Sequence, residues 1–366
     1  MPPVLATLFR LRQHTGFRRI LSNSGWMMAE QLVRLGTGLV LGILTARHLG
    51  PTGFGLLSYA LAYTSIFSVV AALGLNRILV RELVSAAGNP FAVSALLGSA
   101  FTLRLTAAGT LYLLAVFIAW WQGDTPLLLM ALVAGSIVCS PADCVDLYFQ
   151  SRVEARYPAM ARIGAVLASA VARAVLLWAE APILAFGALA LGEASLIAGL
   201  LMLAYHRRGP PLRLSPIHET HVRTLLRESL PEVLAALGSI LFMRIAQVML
   251  QHMAGPSAVG TYAAAARIAE FWYFVPTAVV GSTFPSIIAL REVDRSRYMQ
   301  RFALLTTGLL LLAYAIAALA TLSAAPLVAL LFGPAYAGAA PVLATQAWCG
   351  TSTFSSSSIR CTTPIQ

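Results

Sequence analysis

Long apolar runs dominate this sequence and decide what kind of fold it can adopt. The hydrocarbon core of a membrane is ~30 Å thick, and an α-helix needs roughly 20 mostly apolar residues to cross it. Only 11% of the 366 residues are charged and 58% are hydrophobic, whereas about 25% of the residues of a soluble domain are charged. The sequence therefore predicts an all-α polytopic membrane protein with nine spans, at residues 22–48, 54–76, 93–121, 126–149, 158–181, 183–205, 230–254, 258–287 and 302–332.

The C-terminal end of the sequence changes in composition. A tenth apolar run begins near residue 338 with GAAPVLATQAWCG and is followed by TSTFSSSSIRCTTPIQ, which is rich in Ser and Thr. We expect this stretch to be too polar to complete a membrane span. The second half of the predicted bundle is therefore expected to be incomplete.

The basic side chains predict how the spans are oriented. All 25 are Arg, and the connecting segments on one side of the predicted bundle contain 17 of them, whereas the segments on the other side contain only Arg47. Because Arg accumulates in cytoplasmic loops, we expect the N-terminus to be cytoplasmic. The net charge of +11 does not indicate nucleic acid as a partner, since the Arg residues do not line one face of a soluble domain.

Two of these cytoplasmic segments carry further information. The first 20 residues lack the apolar core and cleavage site of a signal peptide, and they predict either an interfacial helix or a disordered tail. Residues 206–229 predict a linker broken by Pro, then an amphipathic helix that starts near Ser215 and Pro216. No other loop is long enough to form a soluble catalytic domain.

A glycine-rich stretch occurs twice. LGPTGFG, at residues 49–55, resembles a nucleotide-binding loop, but it lies between two spans and no strand precedes it, so we interpret it as a turn. GPTGFG at 50–55 and GPSAVG at 255–260 are 205 residues apart and lie on the same predicted side. Either the two turns are alike by chance, or a six-helix lobe is duplicated with parallel topology. The duplication predicts one lobe at 1–205, a linker at 206–229 and a second lobe at 230–366.

Charged residues within the spans are candidate functional groups, because an unpaired charge at mid-bilayer costs at least ~2.5–3.5 kcal/mol. Glu30 and Arg34 are four residues apart in the first span, so they either neutralise each other or line a cavity. Gly38 and Gly42, with GxxxG spacing, predict close helix packing in the same span. Arg104 lies in the middle of the third span.

The fifth span contains Arg162 and Arg173 on nearly the same helical face. Arg162 is close enough to the cytoplasm for its side chain to reach the interface. Arg173 is deeper, and we interpret it as an anion contact, the alternative being a structural ion pair with Glu193 or Asp143. Asp143 and Asp146, near the inner end of the fourth span, predict either a proton or cation site or solvated residues beside Arg152 and Arg156.

The seventh and eighth spans contain further polar groups. Arg244, Gln247 and Gln251 form a polar stripe that is expected to face protein or water. Arg267 and Glu270 form a predicted i,i+3 pair, and the aromatic run FWYF (271–274) predicts either a packing surface or a platform for sugars. The four Cys residues have no zinc or disulfide spacing, so we expect neither a metal nor a cofactor.

Three stretches carry a family resemblance: RHLGPTGFGLLSYALAYTSIFSVVAALGLNRILVREL, LPEVLAALGSILFMRIAQVMLQHMAGPSAVGTYAAAARIAEFWYFVPTAVVGSTFPSIIAL and LFGPAYAGAAPVL. They resemble the polysaccharide-biosynthesis and O-antigen flippase branch of the multidrug/oligosaccharidyl-lipid/polysaccharide exporter superfamily. The resemblance implies two six-helix lobes that alternate between inward-open and outward-open states in the bacterial inner membrane. It also implies 12 to 14 spans, and an Asp in the seventh span where this chain has Ala246.

The resemblance implies a transporter rather than an enzyme. The expected substrate is an undecaprenyl-diphosphate-linked oligosaccharide, bound through its diphosphate by Arg34, Arg104, Arg173, Arg244, Gln247 and Arg267. Glu30, Asp143, Asp146 and Glu270 are the candidates for ion or proton coupling. Membrane lipids and other polysaccharide assembly proteins are the expected partners. The alternatives are a cation-coupled multidrug antiporter of the same superfamily and a membrane-embedded polysaccharide polymerase or glycosyltransferase.

Overall fold

The computed structural model describes residues 15–123, 125–211, 219–272, 279 and 295–359. All regular secondary structure in these residues is helical, which confirms the predicted all-α fold. The helices are α1 (Thr15–Ala71), α2 (Asn76–Ser85), α3 (Pro90–Gln122), α4 (Leu127–Ala134), α5 (Ser136–Cys139), α6 (Asp143–Ser151), α7 (Arg156–Trp178), α8 (Ile183–Arg208), α9 (Glu219–Trp272), α10 (Arg295–Phe332) and α11 (Ala339–Ile359), with 3₁₀ turns at Ser140–Ala142 and Pro334–Tyr336.

Seven helical segments of the described residues are long and apolar enough to cross a membrane. The number is smaller than the nine predicted spans because α1 and α9 each contain two of them. Within α1 the helix breaks at Gly50 (φ 65°, ψ 177°), and within α9 it breaks at Gly255 (φ 79°, ψ 177°). Glycine adopts a positive φ without the clash that a Cβ would cause, and the Pro that follows each Gly is suited to the first turn of a new helix. The predicted turns at GPTGFG and GPSAVG are thus confirmed.

The fourth predicted span is a run of short helices. It comprises α4, α5, the turn at Ser140–Ala142 and α6, and together these cover the membrane-spanning segment Leu127–Ser151. Pro141 lies in the 3₁₀ turn, where its missing N–H removes a helical hydrogen bond. The turn sets the position of α6, whose first residues include Asp143 and Asp146.

The chain forms two compact units. The first comprises residues 1–41 and 56–253, and the second comprises residues 42–55 and 254–366. In the first unit, Tyr148, Phe149 and Tyr205 belong to a buried cluster with aliphatic residues of α2, α3 and α8. In the second, Phe54, Phe332 and Tyr336 pack with the alanine-rich face of α9. The lobe boundaries at residues 205 and 229 remain a prediction.

The serine-rich C-terminal stretch is helical as far as Ile359, the end of α11. A helix satisfies its own backbone hydrogen bonds whatever its side-chain polarity. Helix α11 is not among the described segments that are long and apolar enough to cross a membrane, and the expectation that this stretch does not complete a span stays a prediction. Residues 1–14 of the N-terminal segment predicted as an interfacial helix or a disordered tail, the predicted helix start at Ser215 and Pro216, and residues 273–274 of the aromatic run lie outside the described residues.

Candidate functional site

Arg162 is the centre of an ionic cluster in the first unit. Its Nη2 lies 3.2 Å from Oδ1 of Asp143 and 3.0 Å from Oδ2 of Asp146, and its Nη1 lies 3.7 Å from Oε1 of Glu30. The carboxylates come from α1 and α6, and Arg162 comes from α7. The side chains of Arg162 and Glu30 are 25% and 12% exposed, whereas that of Asp143 is 53% exposed, so the cluster extends from the interior of the unit to its surface.

The cluster carries more negative than positive groups. Three carboxylates surround one guanidinium, and Arg162 connects α1, α6 and α7. The sequence predicts Asp143 and Asp146 as a pair and Glu30 as a separate candidate, and the structure brings all three acids to Arg162. Their role in ion or proton coupling stays a prediction.

The contacts of Arg162 with three acids are not among those predicted from the sequence. We expected its side chain to reach the membrane interface, and instead it contacts three acids. The signal was present in the sequence: Asp146 and Arg162 lie at similar distances from the short connection between the fourth and fifth spans. Antiparallel helices joined by a short loop bring such positions together.

Arg34 differs from the other intramembrane Arg residues. Its Nη2 donates to Oε1 of Gln31 at 2.9 Å, and Glu30 contacts Arg162. Glu30 and Arg34 still interact electrostatically, but without a salt-bridge contact. Within the described ranges, no carboxylate forms an ion pair with Arg34. The residue is exposed near the middle of the first span, where a cation facing lipid would be unfavourable. Arg34 is therefore expected to face water.

Arg173 forms an ion pair, which is one of the two alternatives that the sequence predicts for it. Its Nη2 lies 3.5 Å from Oε2 of Glu193 on α8, the structural partner that we named. Both side chains are about one quarter exposed, at 24% and 28%. The pair neutralises two charges inside the bundle while leaving part of the guanidinium accessible.

Arg104 is enclosed in the interior of the first unit. The residue is 2% exposed, and its Nη2 donates to Oδ1 of Asn76 at 2.7 Å. Its Nε is buried without a hydrogen-bond partner among the described residues. An anionic ligand can reach this guanidinium only if the surrounding helices separate.

We expect Asn76→Ala to lower the free energy of unfolding by about 1–3 kcal/mol, because the buried Arg104 guanidinium loses its acceptor. Thermal unfolding of the purified protein in detergent measures the effect. Asn76→Asp is the matched control, since it retains the acceptor oxygen and should preserve stability. An Asn76→Ala protein as stable as the wild type would contradict the prediction.

The polar stripe of the seventh span is turned partly into the protein. Gln247 and Gln251 are buried, as expected for a stripe that does not face lipid, and Arg244 is half-buried. Oε1 of Gln251 has no hydrogen-bond partner among the described residues. Next to it, the His252 ring contacts Tyr59 edge-on, with 6.2 Å between centroids.

Arg267 lies against Gly42 in the second unit. A Cβ on Gly42 would be 1.6 Å from Nη1 of Arg267, and the Arg267 guanidinium lies 5.3 Å from the centroid of Phe54, within cation–π range. A Cβ on Gly38 would meet nothing within 4 Å. The predicted GxxxG helix packing is therefore wrong: Gly42 leaves room for an Arg side chain rather than for another backbone. Glu270, one turn further along α9, is half-buried.

The two repeated turns contact each other within the second unit. A Cβ on Gly55 would be 1.8 Å from the carbonyl oxygen of Pro256, and a Cβ on Gly260 would be 1.9 Å from that of Pro51. Each turn thus uses its last glycine to approach the proline of the other. Only a residue without a Cβ allows this distance.

Side chains from the neighbouring helices support this crossing. Arg47 donates through Nε to the Leu331 carbonyl at 2.7 Å, and through Nη2 to the Leu330 carbonyl. The Tyr336 hydroxyl donates to the Ala46 carbonyl at 2.7 Å.

A different contact connects α2 with the seventh span in the first unit. Arg77 lies 3.5 Å from Glu232, and Arg81 lies 2.8 Å from Glu228. A Cβ on Gly74 would be 2.8 Å from the Ser229 carbonyl oxygen. Exposed ion pairs of this kind contribute little because solvent screens them, so the close backbone approach supplies much of the specificity.

No group of three or more His, Cys, Asp or Glu side chains suited to a metal ion occurs in the parts of the chain that the structure describes. The polar groups in the described spans include the Arg173–Glu193 ion pair, the Arg104–Asn76 hydrogen bond and the Arg162 cluster.

Comparisons with known proteins agree with this architecture. The sequence profile of the family described as "Polysaccharide biosynthesis protein" matches residues 20–290. A solved structure described as "Inward-facing conformation of a multidrug resistance MATE family transporter of the MOP superfamily" aligns with a TM-score of 0.60 and 12% identity, covering 90% of this chain and 81% of that chain. No protein with a curated description matches significantly. At this identity the structural likeness shows the fold alone, and it confirms the predicted MATE-like multi-pass architecture.

Proposed function

This chain belongs to the polysaccharide biosynthesis protein family, and from this premise we propose that it is a flippase for undecaprenyl-diphosphate-linked oligosaccharides in the bacterial inner membrane. Family and fold support a membrane flippase or exporter rather than an enzyme. The observation that carries the more specific proposal is Arg34, an exposed cation near the middle of a membrane span that interacts with Glu30 electrostatically but forms no salt-bridge contact with a carboxylate of the described residues. Such a residue is suited to a ligand that brings its own negative charge into the membrane.

The diphosphate is the charged part of the proposed substrate, and it needs a positively charged partner inside the membrane. Moving its charge through hydrocarbon unaided would cost on the order of tens of kcal/mol. A guanidinium offers planar, paired donors that match phosphate oxygens and replace water. We propose that Arg34 is the first diphosphate contact in the first unit, and that the half-buried Arg244 and the buried Gln247 of the same unit are further contacts. Arg267, in the second unit, is a separate candidate contact. The polyprenyl chain remains in lipid during transport.

Arg173 and Arg104, the remaining predicted diphosphate contacts, are less accessible to a substrate phosphate than Arg34. Arg173 is part of an ion pair, so substrate phosphate would have to compete with Glu193. Arg104 is enclosed and donates to Asn76. Both contribute to diphosphate binding only after the helices rearrange, which alternating access between inward-open and outward-open states would provide.

The Arg162 cluster is the proposed coupling element. Glu30 contacts Arg162 and lies one helical turn before Arg34, so a diphosphate on Arg34 would raise the proton or cation affinity of Glu30 electrostatically. Asp143 and Asp146 would share the bound charge through Arg162. Glu270 is a second candidate on the eighth span. Binding of substrate and of a coupling ion would then favour each other.

A flipping assay in liposomes tests the role of Arg34. We expect Arg34→Ala to reduce the transport of a lipid-linked oligosaccharide about tenfold or more, because one charge-assisted contact contributes about 1.5–3 kcal/mol. Arg34→Lys should retain part of the activity. Arg77→Ala is the matched control, since Arg77 is 84% exposed and pairs only with Glu232 among the described residues. Unchanged transport in Arg34→Ala, Arg104→Ala, Arg173→Ala and Arg244→Ala would overturn the proposal.

A second candidate is a cation-coupled multidrug antiporter, and the three carboxylates around Arg162 are the observation that favours it. That function predicts efflux of organic cations driven by an ion gradient, with Asp146→Asn abolishing efflux. Efflux of ethidium from energised vesicles without any flipping of lipid-linked sugar would select this function. The third candidate, a membrane polymerase or glycosyltransferase, predicts sugar transfer by the purified protein.

A further inference from the structure

Four exposed Arg residues surround the ends of α7 and α8 at the side predicted to be cytoplasmic. Arg152 and Arg156 lie on either side of the loop that leads into α7, and Arg207 and Arg208 end α8. Glu154 is the one carboxylate in that loop. For Arg156, Arg207 and Arg208, no ion pair occurs with any carboxylate of the described ranges. The surface therefore carries an excess of positive charge that the described protein residues do not neutralise.

Two of these Arg residues share one aromatic ring. The guanidinium carbon of Arg156 lies 4.4 Å from the centroid of Tyr157, and that of Arg208 lies 4.6 Å from the same centroid. Nη2 of Arg156 also donates to the Tyr157 hydroxyl. Cation–π contact with a tyrosine holds a guanidinium by its face and leaves its edge N–H groups free. Tyr157 thus holds two anion-binding groups around one ring, each within 4.6 Å of its centroid.

The ring itself is held by the interior of the first unit. Tyr157 packs against Phe149, with 5.4 Å between centroids, and Phe149 contacts Tyr148. Arg152 lies over the ring of Tyr148 at 4.9 Å, and Tyr148 packs edge-on against Tyr205. Because Phe149, Tyr148 and Tyr205 are buried, the positions of Arg152 and Arg156 are supported by rigid neighbours.

We propose that Arg156, Arg208 and Tyr157 form a binding site for the phosphate of an anionic phospholipid. Two guanidiniums held on one ring repel each other, and a phosphate at the edge of the ring would reduce that repulsion by accepting hydrogen bonds from their remaining N–H groups. The site lies where two membrane-spanning helices end, which is the level of the lipid headgroups. A phospholipid reaches it by diffusion in the membrane plane with its acyl chains along α7 and α8. The local excess of Arg matches an anionic headgroup.

Binding of phosphatidylglycerol to the full-length protein in detergent, followed by native mass spectrometry, tests this site. We expect phosphatidylglycerol to bind more tightly than phosphatidylcholine, and Arg156→Gln and Arg208→Gln each to weaken phosphatidylglycerol binding about tenfold. Tyr157→Phe should retain binding and Tyr157→Leu should lose it. Arg207→Gln is the matched control, because it removes the same charge from the neighbouring residue and its contact with the ring is not observed.

Three results would overturn the proposal. Equal weakening by Arg207→Gln and Arg208→Gln would show a diffuse charge effect, and equal binding of both phospholipids would show no headgroup selection. Binding of a polyprenyl phosphate that phosphatidylglycerol does not displace would assign the surface to substrate instead. An unchanged thermal unfolding midpoint shows that a variant is folded. If Arg156→Gln does not fold, the binding affinity of Arg208→Gln alone tests the site, because Arg208 is the last residue of α8. None of these results depends on transport activity.

Discussion

Gly260→Ala is expected to destabilise the protein and to abolish transport. The new Cβ would lie 1.9 Å from the carbonyl oxygen of Pro51 and 3.1 Å from the backbone nitrogen of Gly55, and backbone atoms cannot move aside as a side chain can. Overpacking of a core costs about 1–3 kcal/mol, and we expect the upper end of that range or more because the contacted atoms are backbone. Thermal unfolding in detergent and the flipping assay measure the two effects.

Gly36→Ala is the matched control for this prediction. A Cβ at Gly36 meets nothing within 4 Å, and Ala is favoured over Gly inside a helix by about 1 kcal/mol. The same substitution should therefore raise or preserve stability at Gly36 and lower it at Gly260. Gly55→Ala should resemble Gly260→Ala, since its Cβ would lie 1.8 Å from the carbonyl oxygen of Pro256. Equal stability of the Gly36 and Gly260 variants would disprove the close crossing of the turns.

Arg162→Leu is expected to have the second large effect. It removes the cation that Glu30, Asp143 and Asp146 share, and breaking a buried ion pair costs about 3–5 kcal/mol. This figure is an upper bound, since Asp143 is 53% exposed and solvent screens part of the repulsion. We expect a lower unfolding midpoint and loss of transport, measured on protein reconstituted from the same preparation.

Two further variants separate charge from packing at this cluster. Arg162→Lys keeps the positive charge and should retain most of the stability. Adding Asp146→Asn to Arg162→Leu removes one of the repelling carboxylates, so the double variant should regain stability that the single variant loses. If Arg162→Leu behaves like the exposed variant Arg77→Leu, the cluster does not stabilise the fold.

The sequence was sufficient to predict the membrane-spanning helices and the glycine turns. The apolar runs give the spans, because a membrane imposes a minimum length that few other structures require. Gly50 and Gly255 adopt the positive φ that a Gly-Pro turn indicates. Composition did not reveal that a single non-helical residue joins each pair of spans, since hydropathy is insensitive to backbone dihedrals.

The candidate site was predicted less completely. Depth within a span follows from position along the chain, and it places Arg34, Arg104 and Arg173 within helical segments that are long and apolar enough to cross a membrane. The neighbour of each side chain depends on which other helix packs against it. The spacing of residues along a single helix does not contain that information. Arg173 contacts Glu193 as one alternative predicted, but the contacts of Arg162 with three acids, and of Arg104 with Asn76, required the packing of several helices.

The crossing of the two glycine turns has the geometry of a homodimer interface formed inside one polypeptide. Gly55 approaches Pro256 as Gly260 approaches Pro51, and such reciprocity is the property of an isologous interface, in which a surface recognises its own copy. In a true homodimer every substitution occurs in both subunits, whereas a single chain can differ between its two turns. The first turn has Phe54 at the position where the second turn has Val259. That asymmetry gives Arg267 an aromatic ring to contact on one side of the pseudo-symmetric interface, so the two turns match in backbone contacts but differ in side-chain contacts.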